Sequence, residues 1–126
     1  MSKADAAGTL SRLIEGLVNR AMSGVQVALP CRVVSFDEST CRADVQSLVR
    51  TGDDAPAVIQ NVPALGRKRR IGPEIEIEKP FYEKGDLVYV VCADREIKNT
   101  LGGQVAAPDS ARMHDINDAV IVGMFV

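Results

Sequence analysis

Two hydrophobic periods meet at Gly24, and that junction limits what the chain can fold into. Before it, Leu10, Leu13, Ile14, Leu17, Val18 and Ala21 recur at three- and four-residue spacing, with Arg12, Glu15, Asn19 and Arg20 on the other side. That is the pattern of one amphipathic helix. From Val25 onward the period is two: Val27, Leu29, Cys31 and Val33 alternate with Gln26, Arg32 and Val34. Half-buried strands show this alternation. The spacing predicts a helix over residues 9–22, a helical extension over 1–23 and a β domain over 24–126. Ser2 and Asp5 have the spacing of a capping box, and Thr9 is a second N-cap candidate. Gly8 and Gly16 each cost the helix about 1 kcal/mol relative to Ala. Two or three turns are marginal alone in water. The stripe therefore docks on something, either the chain's own body or another copy.

The β part reads as short strands separated by turn signals. Asp37-Glu38-Ser39 is a turn, and Cys41, Ala43 and Val45 alternate with Arg42, Asp44 and Gln46, giving a hairpin with one buried face. Pro30 inside the first strand points to a sheet edge or a bulge. Val58–Leu65 is a short apolar strand broken by Pro63. Glu74–Glu78 alternates strictly, with Ile75 and Ile77 on one face and three carboxylates on the other. Leu87–Cys92 is the most apolar run and reads as a central strand, and residues 119–125 close the domain. Residues 94–103 read as a short helix or irregular loop, and 104–118 as a polar loop. One helix followed by five or six short strands predicts a mostly β chain: a small OB-like Greek-key β-barrel or a sandwich, with an N-terminal α-helix.

Composition narrows the function classes. The chain has 126 residues, 15 Lys and Arg against 17 Asp and Glu, and a formal net charge of −2, which excludes a strongly basic nucleic-acid binder. No apolar run reaches the roughly 18 residues that span a bilayer, so no stable membrane insertion is expected. Residues 1–8 lack the basic and apolar regions of a secretory signal. Cys31, Cys41 and Cys92 form no Cys-x-x-Cys pair, and His114 is the one histidine. These thiols read as reduced core residues, and no metal or cofactor is expected. His114 beside Asp115, with Asp109, Ser110 and Asp118 near in sequence, reads as a hydrogen-bonded loop residue. A Ser-His-Asp relay needs three groups converging from the fold, and sequence adjacency does not supply that. No catalytic residue or small-molecule substrate is expected.

The basic run Arg67, Lys68, Arg69 and Arg70 is followed closely by Glu74, Glu76, Glu78 and Glu83. It reads as a paired or solvated hairpin tip, or as a contact to an acidic protein partner. The alternative is an OB-type module binding single-stranded nucleic acid through Arg67–Arg70. Such modules add stacking aromatics to a basic groove, and here Phe36 and Tyr89 are the candidate platforms. The candidate assembly residues are thus Leu10, Leu13, Ile14 and Leu17 on the helix, and Arg67, Lys68, Arg69 and Arg70.

Several segments in order resemble a known family. They are Ala28–Val34, Cys41–Gln46, Val62-Pro63, Gly85-Asp86 leading Val88–Val91 into Asp94-Arg95-Glu96-Ile97, and Arg112-x-His114-x-x-Asn117-Asp118-Ala119-Val120 with Gly123 beyond. Together they look like the N-terminal OB-fold domain of the central spike proteins of contractile-tailed bacteriophages, over about residues 24–126. The resemblance implies a homotrimer on the axis of a virion tail baseplate, made in the bacterial host cytoplasm, with hub and tail-tube proteins as partners. Such spikes continue into a β-helical shaft and an iron-binding His-x-His tip. This sequence holds neither, so a separate spike-tip protein is expected. The expectation is a non-enzymatic spike or hub-cap component.

Overall fold

The computed structural model describes residues 3–50, 52, 53 and 55–126, with side chains from residue 6 onward. The Ser2–Asp5 capping box and part of the turn after Arg50 lie outside the described residues. Helix α1 spans Lys3–Ser23. It starts upstream of the expected residue 9, because Ala4, Ala6 and Ala7 are strong helix formers. Thr9 therefore lies inside the helix and not at its N-cap. The helix ends where Ser23-Gly24 predicted: the Ser23 hydroxyl donates to the Arg20 carbonyl at 2.7 Å, and the Val25 N–H donates to the Met22 carbonyl at 3.0 Å.

The β domain holds β1 (Ala28–Asp37), β2 (Arg42–Ser47), β3 (Val58–Pro63), β4 (Arg67–Ile71), β5 (Glu74–Glu78), β6 (Leu87–Cys92) and β7 (Ala119–Met124). Five strands form one antiparallel sheet in the order β3-β2-β1-β6-β7. β1, β2 and β3 form a meander, and β6 returns by a long connection to lie beside β1, which is Greek-key topology. The sheet curls strongly, and its two edges approach each other. Ala64 makes a parallel bridge to Ile121, and the Leu65 N–H donates to the Ile121 carbonyl at 3.2 Å. The result is a small OB-like half-barrel with one N-terminal helix. β4 and β5 form a separate two-stranded sheet.

Period-two alternation sets the core. Cys31 and Val33 of β1, Val45 of β2, Val88 and Val90 of β6 and Ile121 of β7 are almost wholly buried, with Ala43, Val62, Cys92 and Ala119 beside them. The inward side chains are small, and the barrel is correspondingly narrow. Phe36 and Tyr82 pack against the core and meet edge to face at 5.7 Å. Curvature comes from three register shifts, in the β1–β2, β2–β3 and β6–β7 pairs. Bulges of this kind bend a strand and increase its twist. Asp44 ties two of them together: its carboxylate accepts from the Ser35 hydroxyl at 3.3 Å and from the Asn61 N–H at 2.9 Å. Asn61 sits at φ 58°, a left-handed conformation in which asparagine is favoured.

Pro30 departs from the expectation. It lies in β1, a central strand, and the shift in that strand falls at Val33/Ser35. Its carbonyl accepts from Leu48, just past the end of β2. The N–H that proline lacks would point the same way, so the loss falls where β2 leaves the sheet.

Candidate assembly surfaces

α1 stands away from the barrel with its apolar stripe uncovered. Leu10, Leu13, Ile14, Leu17 and Val18 are each more than half exposed. The chain joins the barrel only after the helix ends: the Gln26 N–H donates to the His114 carbonyl at 2.9 Å, and the Cys92 N–H to the Val27 carbonyl at 2.9 Å. In this structure the stripe is therefore not covered by its own barrel.

The basic run is not a hairpin tip but a full strand, β4, antiparallel to the acidic β5. Arg67 lies opposite Glu78, Lys68 opposite Ile77, Arg69 opposite Glu76 and Arg70 opposite Ile75. Residues directly opposite share a face. One face therefore carries Arg67 and Arg69 with Glu74, Glu76 and Glu78, and the other carries Lys68 and Arg70 with Ile75 and Ile77. Arg67 pairs with Glu78 at 3.0 Å, and Arg69 reaches Glu76 at 3.3 Å and Glu78 at 3.0 Å. Gly72 takes φ +60° at the first position of the two-residue turn, a conformation glycine supplies at no steric cost. Pro73 follows it. At the base, a Cβ on Gly66 would stand 2.9 Å from the Glu78 carbonyl oxygen, so only glycine fits that crossing. Every residue of the two strands is exposed except Glu78, which is half-buried.

The outer wall of β6 and β7 is apolar. Leu87, Tyr89, Val122, Met124 and Phe125 are all substantially exposed, and the Tyr89 and Phe125 rings meet edge to face at 5.8 Å. Tyr89 thus stands on this wall, whereas Phe36 is committed to the barrel's aromatic end with Phe81 and Tyr82. The two aromatics named as stacking platforms therefore have different settings.

Residues 93–118 connect β6 to β7 and are held by a charged clasp that sequence reasoning did not find. Its centre is Arg112. Nε donates to Asp118 Oδ2 at 2.7 Å, Nη2 to Asp118 Oδ1 at 2.9 Å, and Nη1 lies 3.3 Å from Glu96 Oε2. Glu96 and Asp118 are buried. Glu96 also accepts from the Ser110 hydroxyl at 2.6 Å and the Asp109 N–H at 3.0 Å, and Asp118 accepts from the Ile97 N–H at 3.2 Å. Lys98 closes the group at 3.1 Å from Asp109. The Ser110 hydrogen bond holds the Glu96 carboxyl below its ordinary range, and the Arg112 fork does the same for Asp118. Asp118 in turn raises the Arg112 guanidinium.

The remaining candidates have other partners. His114 Nε2 lies 3.2 Å from Asp94, its Nδ1 is buried without a partner, and its backbone sits at φ 46°. Asp109, Ser110 and Asp118 are drawn into the clasp, so the structure does not assemble them around His114. Among the described residues no group of three His, Cys, Asp or Glu side chains stands ready for a metal ion. All three cysteines are free. Cys31 and Cys92 are core residues, and burial pushes the Cys31 thiol up to about 11 and raises that of Cys92. No described helix is long and apolar enough to cross a membrane.

The described surface thus carries three features: a helix whose apolar stripe is uncovered, a projecting hairpin and an apolar wall on the half-barrel. No curated protein matches the chain. The family model for the phage protein Gp138 N-terminal domain matches residues 29–123, from the first core residue of β1 to the penultimate residue of β7. That span covers most of the sequence and all seven strands but for the first residue of β1 and the last of β7, and the chain belongs to this family of phage proteins.

Proposed function

We propose that this chain is a non-enzymatic structural component of a phage or phage-tail-like baseplate. In this reading it is a central spike or hub-cap protein that closes the tail tube on its axis as a homotrimer. It docks a separate spike-tip protein to the hub. The observation that carries the reading is the match of the whole barrel to a phage protein domain. The exposed Leu10–Leu17 stripe and the β6–β7 wall support it physically, since apolar surface of this extent on a small domain marks contact sites. A narrow barrel with its connecting loop held by the Arg112 clasp suits a repeated mechanical contact.

The test is in two parts. Light scattering on the purified chain, intact and lacking residues 1–23, is expected to give three times the chain mass for the intact protein. A monomer at high concentration overturns the trimer. Gold-labelled antibody on tail particles is expected to mark the tube end at the baseplate. Label along the sheath, or no label on intact particles, overturns the axial role.

A further inference from the structure

The hairpin β4–β5 is unlike the rest of the molecule. It has no third strand on either edge among the described residues, and its strands lie open to solvent on both faces. An isolated two-stranded hairpin is at best marginally stable in water. Its two edges also differ in sign. β4 carries Arg67, Lys68, Arg69 and Arg70, and β5 carries Glu74, Glu76 and Glu78.

We propose that this hairpin is an interlocking arm between copies of this chain, the outer edge of β4 on one copy pairing antiparallel with the outer edge of β5 on the next. The inference rests on the homotrimer reading and specifies the contact within it. The pairing inside one hairpin already shows that these two strands fit: Arg67 meets Glu78 and Arg69 meets Glu76 in register. Around a rotation axis running along the strands, β5 of one copy runs antiparallel to β4 of its neighbour, repeating the geometry found within each arm. Arginine has five N–H donors, and Arg67 and Arg69 keep 70% and 48% of their side-chain surface exposed. Each can therefore serve a further carboxylate across the outer edge.

Charge selects this pairing over its competitors. Joining β4 to β4 sets arginines against arginines, and joining β5 to β5 sets glutamates against glutamates. Like charges directly opposite are unfavourable. The alternation that keeps an edge strand from pairing with itself leaves β4 with β5 as the allowed combination. That contact uses two different patches, so it is head-to-tail and closes as a ring when the rotation permits. Adding a strand to an exposed edge in this way is a known mode of chain recognition.

The test uses a variant with the two cross-strand ion pairs swapped: Arg67→Glu, Arg69→Glu, Glu76→Arg and Glu78→Arg. It keeps every opposite-charge pair within its own arm and between its own copies. The parent and the variant are tagged differently, refolded separately and together, and weighed by native mass spectrometry. The expected result is a trimer of each alone, with mixed trimers at least tenfold below the statistical proportion when the two are refolded together. Mixed trimers in statistical proportion overturn the arm contact and leave the homotrimer intact. A parent that is monomeric at all concentrations overturns the homotrimer and the arm together. A thermal melt of the variant within a few degrees of the parent verifies that the barrel is unchanged.

Discussion

Removing the Arg112 guanidinium is the sharpest test of how the β6–β7 connection is held. Arg112→Met keeps most of the side chain's bulk and deletes the fork. Two hydrogen bonds to Asp118, at 2.7 and 2.9 Å, and the contact to Glu96 at 3.3 Å are lost together. Asp118 is then left with the Ile97 N–H alone, whereas Glu96 keeps Ser110 and Asp109. Breaking a buried ion pair from one side costs about 3–5 kcal/mol. Arg112 retains 30% of its side-chain surface in water, and the screening this allows places the expected loss near the lower end, about 3 kcal/mol. For a domain of this size that corresponds to a fall in melting temperature of about 10 °C. The assay is thermal unfolding at pH 7 followed by circular dichroism. Arg112→Lys keeps the charge without the fork and should fall about half as far. The double variant Arg112→Met/Asp118→Asn should recover at least about 1 kcal/mol relative to the sum of the single changes. An Arg112→Met protein that melts within about 1 °C of the parent would refute the reasoning, because the clasp would then be a surface decoration.

Further outcomes follow from the same geometry. Glu96 and Asp118 are held below their ordinary values of 4.5 and 3.8, so their contribution to stability is complete above those values and is lost as the pH falls through and below them. Melting temperature should be level from pH 7 to about 5 and drop below about pH 4, and Arg112→Met should flatten that drop; an unchanged slope in the variant would place the acid response elsewhere. At pH 8 a thiol reagent should label one cysteine quickly, the half-buried Cys41, and all three in denaturant, because Cys31 and Cys92 are buried and protonated. Fast labelling of two or more would contradict the core assignment. Gly66→Ala sets a Cβ against the Glu78 carbonyl oxygen at 2.9 Å, with a cost of about 1–3 kcal/mol falling on the hairpin. Amide exchange should rise across Arg67–Glu78 with the barrel melt little changed, and uniform exchange across the chain would count against a local clash.

The parts of the fold that were legible in the sequence are those where one face of an element is buried. Cys31 and Val33 against Ala43 and Val45 alternate because one side of β1 and β2 faces the core, and that period is visible in a single chain. Helix α1 was legible from the three- and four-residue spacing of its apolar stripe, although that stripe is uncovered in this structure and the helix starts at Lys3. β4 was not recognisable as a strand. Four consecutive basic residues have no alternation, and what makes them a strand is the β5 partner and the Gly72-Pro73 turn. The clasp was invisible for a different reason. Glu96, Ser110, Arg112 and Asp118 are spread over an irregular connection, and no spacing rule foretells that a loop will return its ends to one another. Pro30 misled because the rule it follows concerns a hydrogen bond, and that bond would have fallen past the end of β2.

The tight crossing of Gly66 under Glu78 has one more consequence. Both feet of the hairpin leave the barrel at a single point, in the connection between β3 and β6, where no barrel strand depends on what lies beyond. The barrel can hold this position like a socket. Lengthening the hairpin, trimming it or replacing it with another strand pair leaves the order β3-β2-β1-β6-β7 untouched. Related chains can therefore vary this hairpin while keeping one barrel, and a foreign peptide inserted at Gly72-Pro73 would be displayed at the far end of the hairpin without entering the core.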